Sequence, residues 1–229
     1  MNRIHQSVGA LAARSTAATR VFEEHGIDFC CAGARSFADV CLEKQLDPEA
    51  VLAEIAAIEL DTVSSGVTDW SAQPLDALIA HILDRHHTYL RAELPRLETW
   101  LAAVRKAHGE RDGVMLAALD DVFSALKHEL EMHLRKEETI LFPAIRRSDG
   151  WIDQPVAVME HEHDDAGRAL AELRRITGGF QPPDHACATY RALYAGLAGL
   201  EKDLHIHIHL ENNILFPRAL AEVARGRGC

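Results

Sequence analysis

Strand-like alternation of polar and apolar residues is almost absent from this chain. Glycine (14) and proline (8) are sparse within its long segments, where Ala, Leu, Glu and Arg dominate. A sheet-based fold is thereby disfavoured and an all-α architecture is expected. No apolar run approaches the ~20 residues that a bilayer crossing needs, so no membrane partner is expected. Basic charge is in deficit: 24 Lys and Arg against 35 Asp and Glu leave a net charge of −11. Such a surface repels a phosphate backbone, which argues against a nucleic acid partner. The five cysteines are an odd number without framework spacing. That count argues against a disulfide scaffold and fits a reducing cytoplasm. The first seven residues, Met1 to Ser7, lack the charged-then-apolar pattern of a secretory leader, and a cytoplasmic location is expected.

What is present is an ordinary globular composition, 48% apolar and 26% charged, in 229 residues. That length suits a sizeable core and one or two domains. Residues 1–60 read as a small helical N-terminal domain. One helix is expected from Ser7 to Glu24, ending at Gly26, and another after Ser36. A third begins at Asp47-Pro48-Glu49, where Asp caps, Pro suits the first helical position and Glu favours the dipole. Residues 61–71 are turn-rich and read as a linker. Residues 72–229 read as an up-down-up-down four-helix bundle. Its helices are expected over 74–106 (with a kink at Pro95), 113–145, 154–177 and 184–223.

The bundle contains a repeat. His133-Leu134-Arg135-Lys136-Glu137 precedes Ile140-Leu141-Phe142-Pro143, and His207-Ile208-His209-Leu210-Glu211 precedes Ile214-Leu215-Phe216-Pro217. The two motifs lie 74 residues apart, and the offset also relates Leu119, Leu126, Leu130 and Glu129 to Leu193, Leu200, Leu204 and Asp203. His87 and His163 stand 76 residues apart. Two helical hairpins related by pseudo-two-fold symmetry are expected.

The 14 histidines then acquire meaning, because each long helix places one in its apolar seam. The first seam is Ile79, Leu83, His87, Leu90, Leu94 and Leu97. The second is Leu119, Phe123, Leu126, Leu130, His133, Glu137, Ile140 and Ala144. The third is Val156, Met159, His163, Ala166, Leu170 and Leu173. The fourth is Leu193, Leu197, Leu200, Leu204, His207, Glu211 and Ile214. Steps of three and four keep each set on one helical face. Burying four imidazoles and two carboxylates is costly unless they are paired or bind metal. A dinuclear transition-metal site with His87, His133, His163 and His207 as nitrogen ligands, and Glu137 and Glu211 as bridges, is the chemistry this donor set suits. A lone seam histidine is more often a satisfied core residue; four of them with a duplicated His-x-x-x-Glu outweigh that reading. Hydrogen-bond acceptors that orient the ligands are sought in Glu129, Glu162 and Asp203. His86, beside His87, is the rival ligand. His205 and His209 lie about 200° of helical rotation from His207 and are expected to face solvent or another partner. His81 and His161 read as flanking residues.

Asp28-Phe29-Cys30-Cys31-Ala32-Gly33 is the other unusual segment. Its thiols read either as a reactive pair in a turn or as two small buried residues. Cys41, Cys187 and Cys229 have no partner pattern and read as structural or incidental.

Taken together, Asp28-Phe29-Cys30-Cys31, His133-Leu134-Arg135-Lys136-Glu137-Glu138, Glu162-His163-Asp164 and His207-Ile208-His209-Leu210-Glu211-Asn212-Asn213 resemble the iron–sulfur cluster repair di-iron proteins. These belong to the hemerythrin-like proteins. The resemblance covers nearly the whole chain. It implies two non-haem iron ions per chain, held by His87, His133, His163 and His207 and bridged by Glu137 and Glu211. It also implies damaged iron–sulfur proteins as partners, nitric oxide or oxygen as a gaseous ligand, a homodimer, and a chemical role for Cys30 and Cys31. Repair of clusters damaged by nitric oxide or oxidants is the expected function. A hemerythrin-like oxygen or nitric oxide binder, and a nitric oxide reductase, are the alternatives.

Overall fold

The computed structural model describes residues 3–30, 32–62 and 68–226. Among them there is no β-strand, only an isolated bridge between Ser7 and Ser36. The chain divides into two compact units, residues 1–80 with 205–229, and residues 81–204.

In the first unit a short 3-10 turn, Arg3–His5, precedes helices α1 (Val8–Arg14) and α2 (Thr16–Glu24). The single helix expected from Ser7 to Glu24 is broken at Ser15, whose backbone is extended (φ −151°, ψ 111°). The Ser15 side chain accepts a hydrogen bond from Ala18 N at 3.3 Å, so the break creates a cap for the second helix. Helix α2 ends where Gly26 adopts φ +61°. Ile27 N then donates back to Phe22 O at 2.7 Å, closing a Schellman-type end that glycine allows without strain. Helix α3 (Phe37–Glu43) follows Ser36, and α4 (Pro48–Thr62) starts as its sequence dictates, with Glu49 N donating to Asp47 Oδ1 at 3.0 Å. The expected linker therefore begins later, because Asp61 and Thr62 are still helical; residues 63–67 lie outside the described residues. Phe22, Phe29 and Phe37 form the aromatic centre of this unit, with ring centroids 5.8–6.2 Å apart around Phe22. The C-terminal helix α10 (Phe216–Gly226) belongs to the same unit, and its Arg218 holds Trp70 O and Gln73 O at 3.0 and 2.6 Å.

The second unit is a four-cornered helical bundle. Its first arm continues helix α5 (Leu75–His81), most of which belongs to the first unit, through a π-helical turn, Ile82–His87, into α6 (Thr88–Lys136). Helix α6 is two arms in one: Asp112, between Gly109 and Gly113, has non-helical torsions (φ −113°, ψ 15°). The expected join between the first two bundle helices is thus a one-residue break, while Pro95 keeps helical torsions. Glu98 to Lys127 and Arg105 to Asp120 are cross-pairs between the arms whose order proves them antiparallel. After a second π turn, Glu137–Leu141, comes α7 (Phe142–Arg146), then α8 (Asp153–Ile176) and α9 (Ala188–Leu210). Helix α8 packs on α6, Arg174 of α8 clasps Glu201 of α9, and Gly196 of α9 lies so close to the first arm of α6 that a Cβ there would stand 2.5 Å from Leu97 Cδ2. No helix among the described residues is long and apolar enough to cross a membrane.

The π turns explain where the seams depart from a 3.6-residue period. In the first arm the buried series runs Ile79, Ile82, His87, Leu90, with a five-residue step across the π turn, so Ile82 is buried where Leu83 was expected. In the second arm Leu141 is buried and Ile140 is 47% exposed, reversing the expected seam. The seams of α8 and α9 are buried as expected.

Candidate metal centre

Within residues 81–204, three helical arms deliver His87, His133, Glu137 and His163 to one buried layer, each at most 4% exposed. His87 Nε2 stands 3.3 Å from Glu137 Oε2, and His133 Nε2 stands 3.4 Å from Glu137 Oε1. His163 Nε2 is 3.1 Å from His133 Nε2. One carboxylate thus offers its two oxygens to two different imidazoles, the arrangement a bridging ligand requires.

The opposite edges of the rings are anchored. His87 Nδ1 bonds Glu138 Oε1 at 2.7 Å, and Arg91 holds the same carboxylate from outside. His133 Nδ1 bonds Glu162 Oε2 at 2.9 Å, and Lys136 reaches the same group. A carboxylate on Nδ1 fixes the proton there and turns the Nε2 lone pair inward, which is how metal-binding imidazoles are oriented. With both Nδ1 edges committed, the two Nε2 atoms converge on the Glu137 carboxylate, a nitrogen and oxygen donor set that suits a cation. The His133 hydrogen bond, against the opposing effect of burial and helped by Lys136, holds the Glu162 carboxyl down to about 2. Burial of Glu138 opposes its ionisation, but His87 and Arg91 outweigh it and keep the carboxyl below its ordinary value.

Of the three acceptors sought in the sequence, Glu162 meets His133, but Glu129 does not join the layer. It is exposed on the outer face of α6, because one turn before His133 the inward position is already filled by Leu130. Asp203 is buried and serves His86, with Nδ1 to Oδ1 at 3.1 Å. His87, not His86, therefore faces Glu137; the π turn ending at His87 lets two consecutive histidines both be buried. Glu138, adjacent to Glu137, is the His87 partner that sequence reading missed.

In the first unit, the repeat partner is built the same way. His207 Nε2 lies 3.2 Å from Glu211 Oε1, both fully buried. Glu211 opens the π turn Glu211–Leu215 just as Glu137 opens Glu137–Leu141. In each turn the amide that closes it, Phe142 N or Phe216 N, donates to the glutamate's own carbonyl five residues back. A proline follows at 143 and 217; its missing N–H and its bulky ring favour a widened turn immediately before it. π turns at the ligands are a recurring device of functional helices.

Two asparagines directly follow Glu211, and they hold the Cys30 turn. Asn212 Nδ2 donates to Cys30 O at 3.3 Å, and Asn213 Nδ2 donates to Phe29 O at 3.1 Å. Asn213 occupies a slot between Gly9 and Gly33, whose backbones are joined by a 2.8 Å hydrogen bond. Cys30 is buried, its thiol 3.4 Å from Asp28 Oδ1; Cys31 lies outside the described residues. His209 does not face solvent. It is buried with its ring 5.4 Å from Phe29 and Nδ1 3.1 Å from Asn213, and burial pushes it down to about 4.

Fold and donor set together define a cation-binding helical bundle of the hemerythrin class. Residues 78–219 match the family model of the Hemerythrin HHE cation binding domain, and residues 4–59 match the ScdA N-terminal domain, a domain of unknown function (DUF542). Over 221 residues the chain is 42% identical to "Iron-sulfur cluster repair protein YtfE" of Yersinia pseudotuberculosis serotype IB (strain PB1/+), covering 96% of this chain and 99% of the relative. The protein of the same name from Yersinia pestis (strain Pestoides F) gives the same identity and coverage. The chain belongs to this family of hemerythrin-like iron–sulfur cluster repair proteins.

Proposed function

We propose that this protein restores damaged iron–sulfur clusters by means of a dinuclear non-haem iron centre. The ligands are His87, His133, His163 and His207, with Glu137 and Glu211 as bridges. The observation that carries the reading is the buried layer of three imidazoles around the Glu137 carboxylate, with His87 and His133 anchored through Nδ1. The 74-residue repeat makes His207 and Glu211 the counterparts of His133 and Glu137 and supplies the second half of the donor set. The name carried by relatives of 42% identity supports the biological role.

Bound iron would supply the metal that a damaged cluster has lost. The chain's own residues do the rest. Glu137 and Glu211, each fully buried, would neutralise cationic charge, and Glu138 and Glu162 keep His87 and His133 turned inward. Protonation of an inward Nε2 releases a ligand, so the same histidines govern how readily metal leaves. Cys30 and Cys31 offer thiols for hand-over, and the backbone of Cys30 is held by Asn212, the residue after Glu211. The organisation is a helical N-terminal domain whose last helix runs to Thr62, a linker from there to residue 71 and a metal-binding bundle over 72–229; the working form is a cytoplasmic homodimer and the partner a damaged iron–sulfur protein.

The test uses an iron–sulfur hydro-lyase inactivated by nitric oxide. Addition of the iron-loaded protein is expected to restore its activity, and Glu137→Ala/Glu211→Ala protein is expected to restore none. Equal recovery with wild type and this variant contradicts the reading. A Cys30→Ser/Cys31→Ser variant with normal iron content and undiminished repair removes the thiols from it.

A further inference from the structure

A second cluster of metal-binding side chains lies in residues 81–204, remote from the layer just described. We propose that His108, Asp112 and His185 form a separate mononuclear site for a zinc-class divalent cation, with the Cys187 thiol beside His108 as its fourth ligand. His108 ends the first arm of α6, Asp112 is the non-helical residue of its break, and His185 and Cys187 stand in the segment leading into α9. The site thus joins the two interhelical connections at one end of the bundle. His108 is 21 residues from His87 along its arm, roughly 30 Å of helix, so this site shares no ligand with the central one.

The geometry is that of a gathered ligand set. One ligand atom from each of His108, Asp112 and His185 lies within 4.8 Å of the others. His185 Nε2 is 2.8 Å from Asp112 Oδ2, and the two imidazole rings are 6.0 Å apart. Ligands about 2.0–2.1 Å from a tetrahedral zinc stand ~3.4 Å from one another, so modest contraction brings the set to bonding distance. The buried Tyr190 ring, 5.1 Å from His108 and 6.5 Å from His185, gives the site an apolar floor. Its outer side is open: His185 is 23% and Asp112 15% exposed, and Cys187 is an exposed free thiol.

Cys187 is more than a bystander. A hydrogen bond joins its sulfur to His108, which sets a fourth ligand atom beside the gathered three, and a bound cation itself draws the proton from a coordinating thiol. Two imidazoles, a carboxylate and a thiolate select zinc or cobalt over magnesium or calcium, which want oxygen alone. Binding releases the thiol proton and any proton shared between His185 and Asp112 to solvent, and no electron is transferred. The break at Asp112 also gains a purpose. A continuous helix would carry residue 112 on around the cylinder, whereas the break turns its carboxylate to His185.

The experiment adds one equivalent of zinc chloride to the full-length, iron-loaded protein. Metals are counted after desalting, and alkylation of Cys187 by N-ethylmaleimide is followed by peptide mass spectrometry. Wild type is expected to retain its iron, gain about one zinc per chain and show alkylation of Cys187 slowed at least about tenfold. His185→Ala and His108→Ala are expected to lose both effects while keeping their iron and helical circular dichroism. Cobalt chloride in place of zinc is expected to give a thiolate-to-cobalt charge-transfer band that Cys187→Ser abolishes. Zinc that only displaces iron, zinc uptake without protection of Cys187, or undiminished uptake by His185→Ala overturns the proposal.

Discussion

At the scale of single residues, the centre depends on side chains that never touch metal. Glu138 and Glu162 each hold one imidazole by Nδ1, and each is backed by a cation, Arg91 or Lys136. Removing such an anchor typically weakens metal affinity by about 10–100-fold. Glu138→Gln and Glu162→Gln are therefore expected to lower iron affinity by that order in a competitive chelator titration. Glu129→Gln, exposed on the same helix, is expected to leave it unchanged. Equal losses in all three variants mean that net charge, not ring orientation, sets the affinity. A deeper change, Glu137→Gln, keeps the shape but gives up the second anionic oxygen between His87 and His133. At least one of two metal ions is expected to be lost per chain, as counted by elemental analysis.

At the scale of elements, the device that matters is the π turn. Seam positions were legible from sequence wherever the helix keeps its 3.6-residue period: Val156, Met159, His163, Ala166, Leu170 and Leu173 of α8 are all buried. They were misread where one residue is inserted, at Leu83 against Ile82 and at Ile140 against Leu141, because periodicity assumes a uniform helix. The break at Ser15, the one-residue break at Asp112 and the burial of His209 were also hidden. The last two bring together residues distant in sequence, Asp112 with His185 and His209 with Phe29, whereas Ser15 breaks the helix by capping the next one. The buried seam histidines were legible, because a polar residue in an apolar seam violates the local pattern and the repeat makes the violation systematic. Close packing in the first unit is testable at Gly9. A Cβ there would meet Asn213 Oδ1 at 2.1 Å and the rigid Gly33 O at 2.9 Å. Gly9→Ala is expected to destabilise the protein by about 1–3 kcal/mol in urea titration and to raise the alkylation rate of Cys30. Unchanged stability means that the Gly9–Gly33–Asn213 slot is looser than its distances imply.

At the scale of the whole molecule, a bundle whose core carries imidazoles and carboxylates has given up apolar burial, and metal binding restores the loss. Free metal at 100 times Kd adds about 2.7 kcal/mol, equivalent to roughly 5–10 °C in Tm for a chain of this length. Iron loading is expected to raise Tm by at least that, and chelation to reverse it, in differential scanning calorimetry. A metal-independent Tm marks the seam as a self-sufficient polar core. The account rests on one claim above the others, that the duplicated His-x-x-x-Glu motifs assemble one dinuclear iron centre. The measurement that meets it most directly is iron quantitation with Mössbauer spectroscopy on protein purified without oxygen. Two spin-coupled irons per chain are expected; one iron, zinc alone or no metal contradicts the claim.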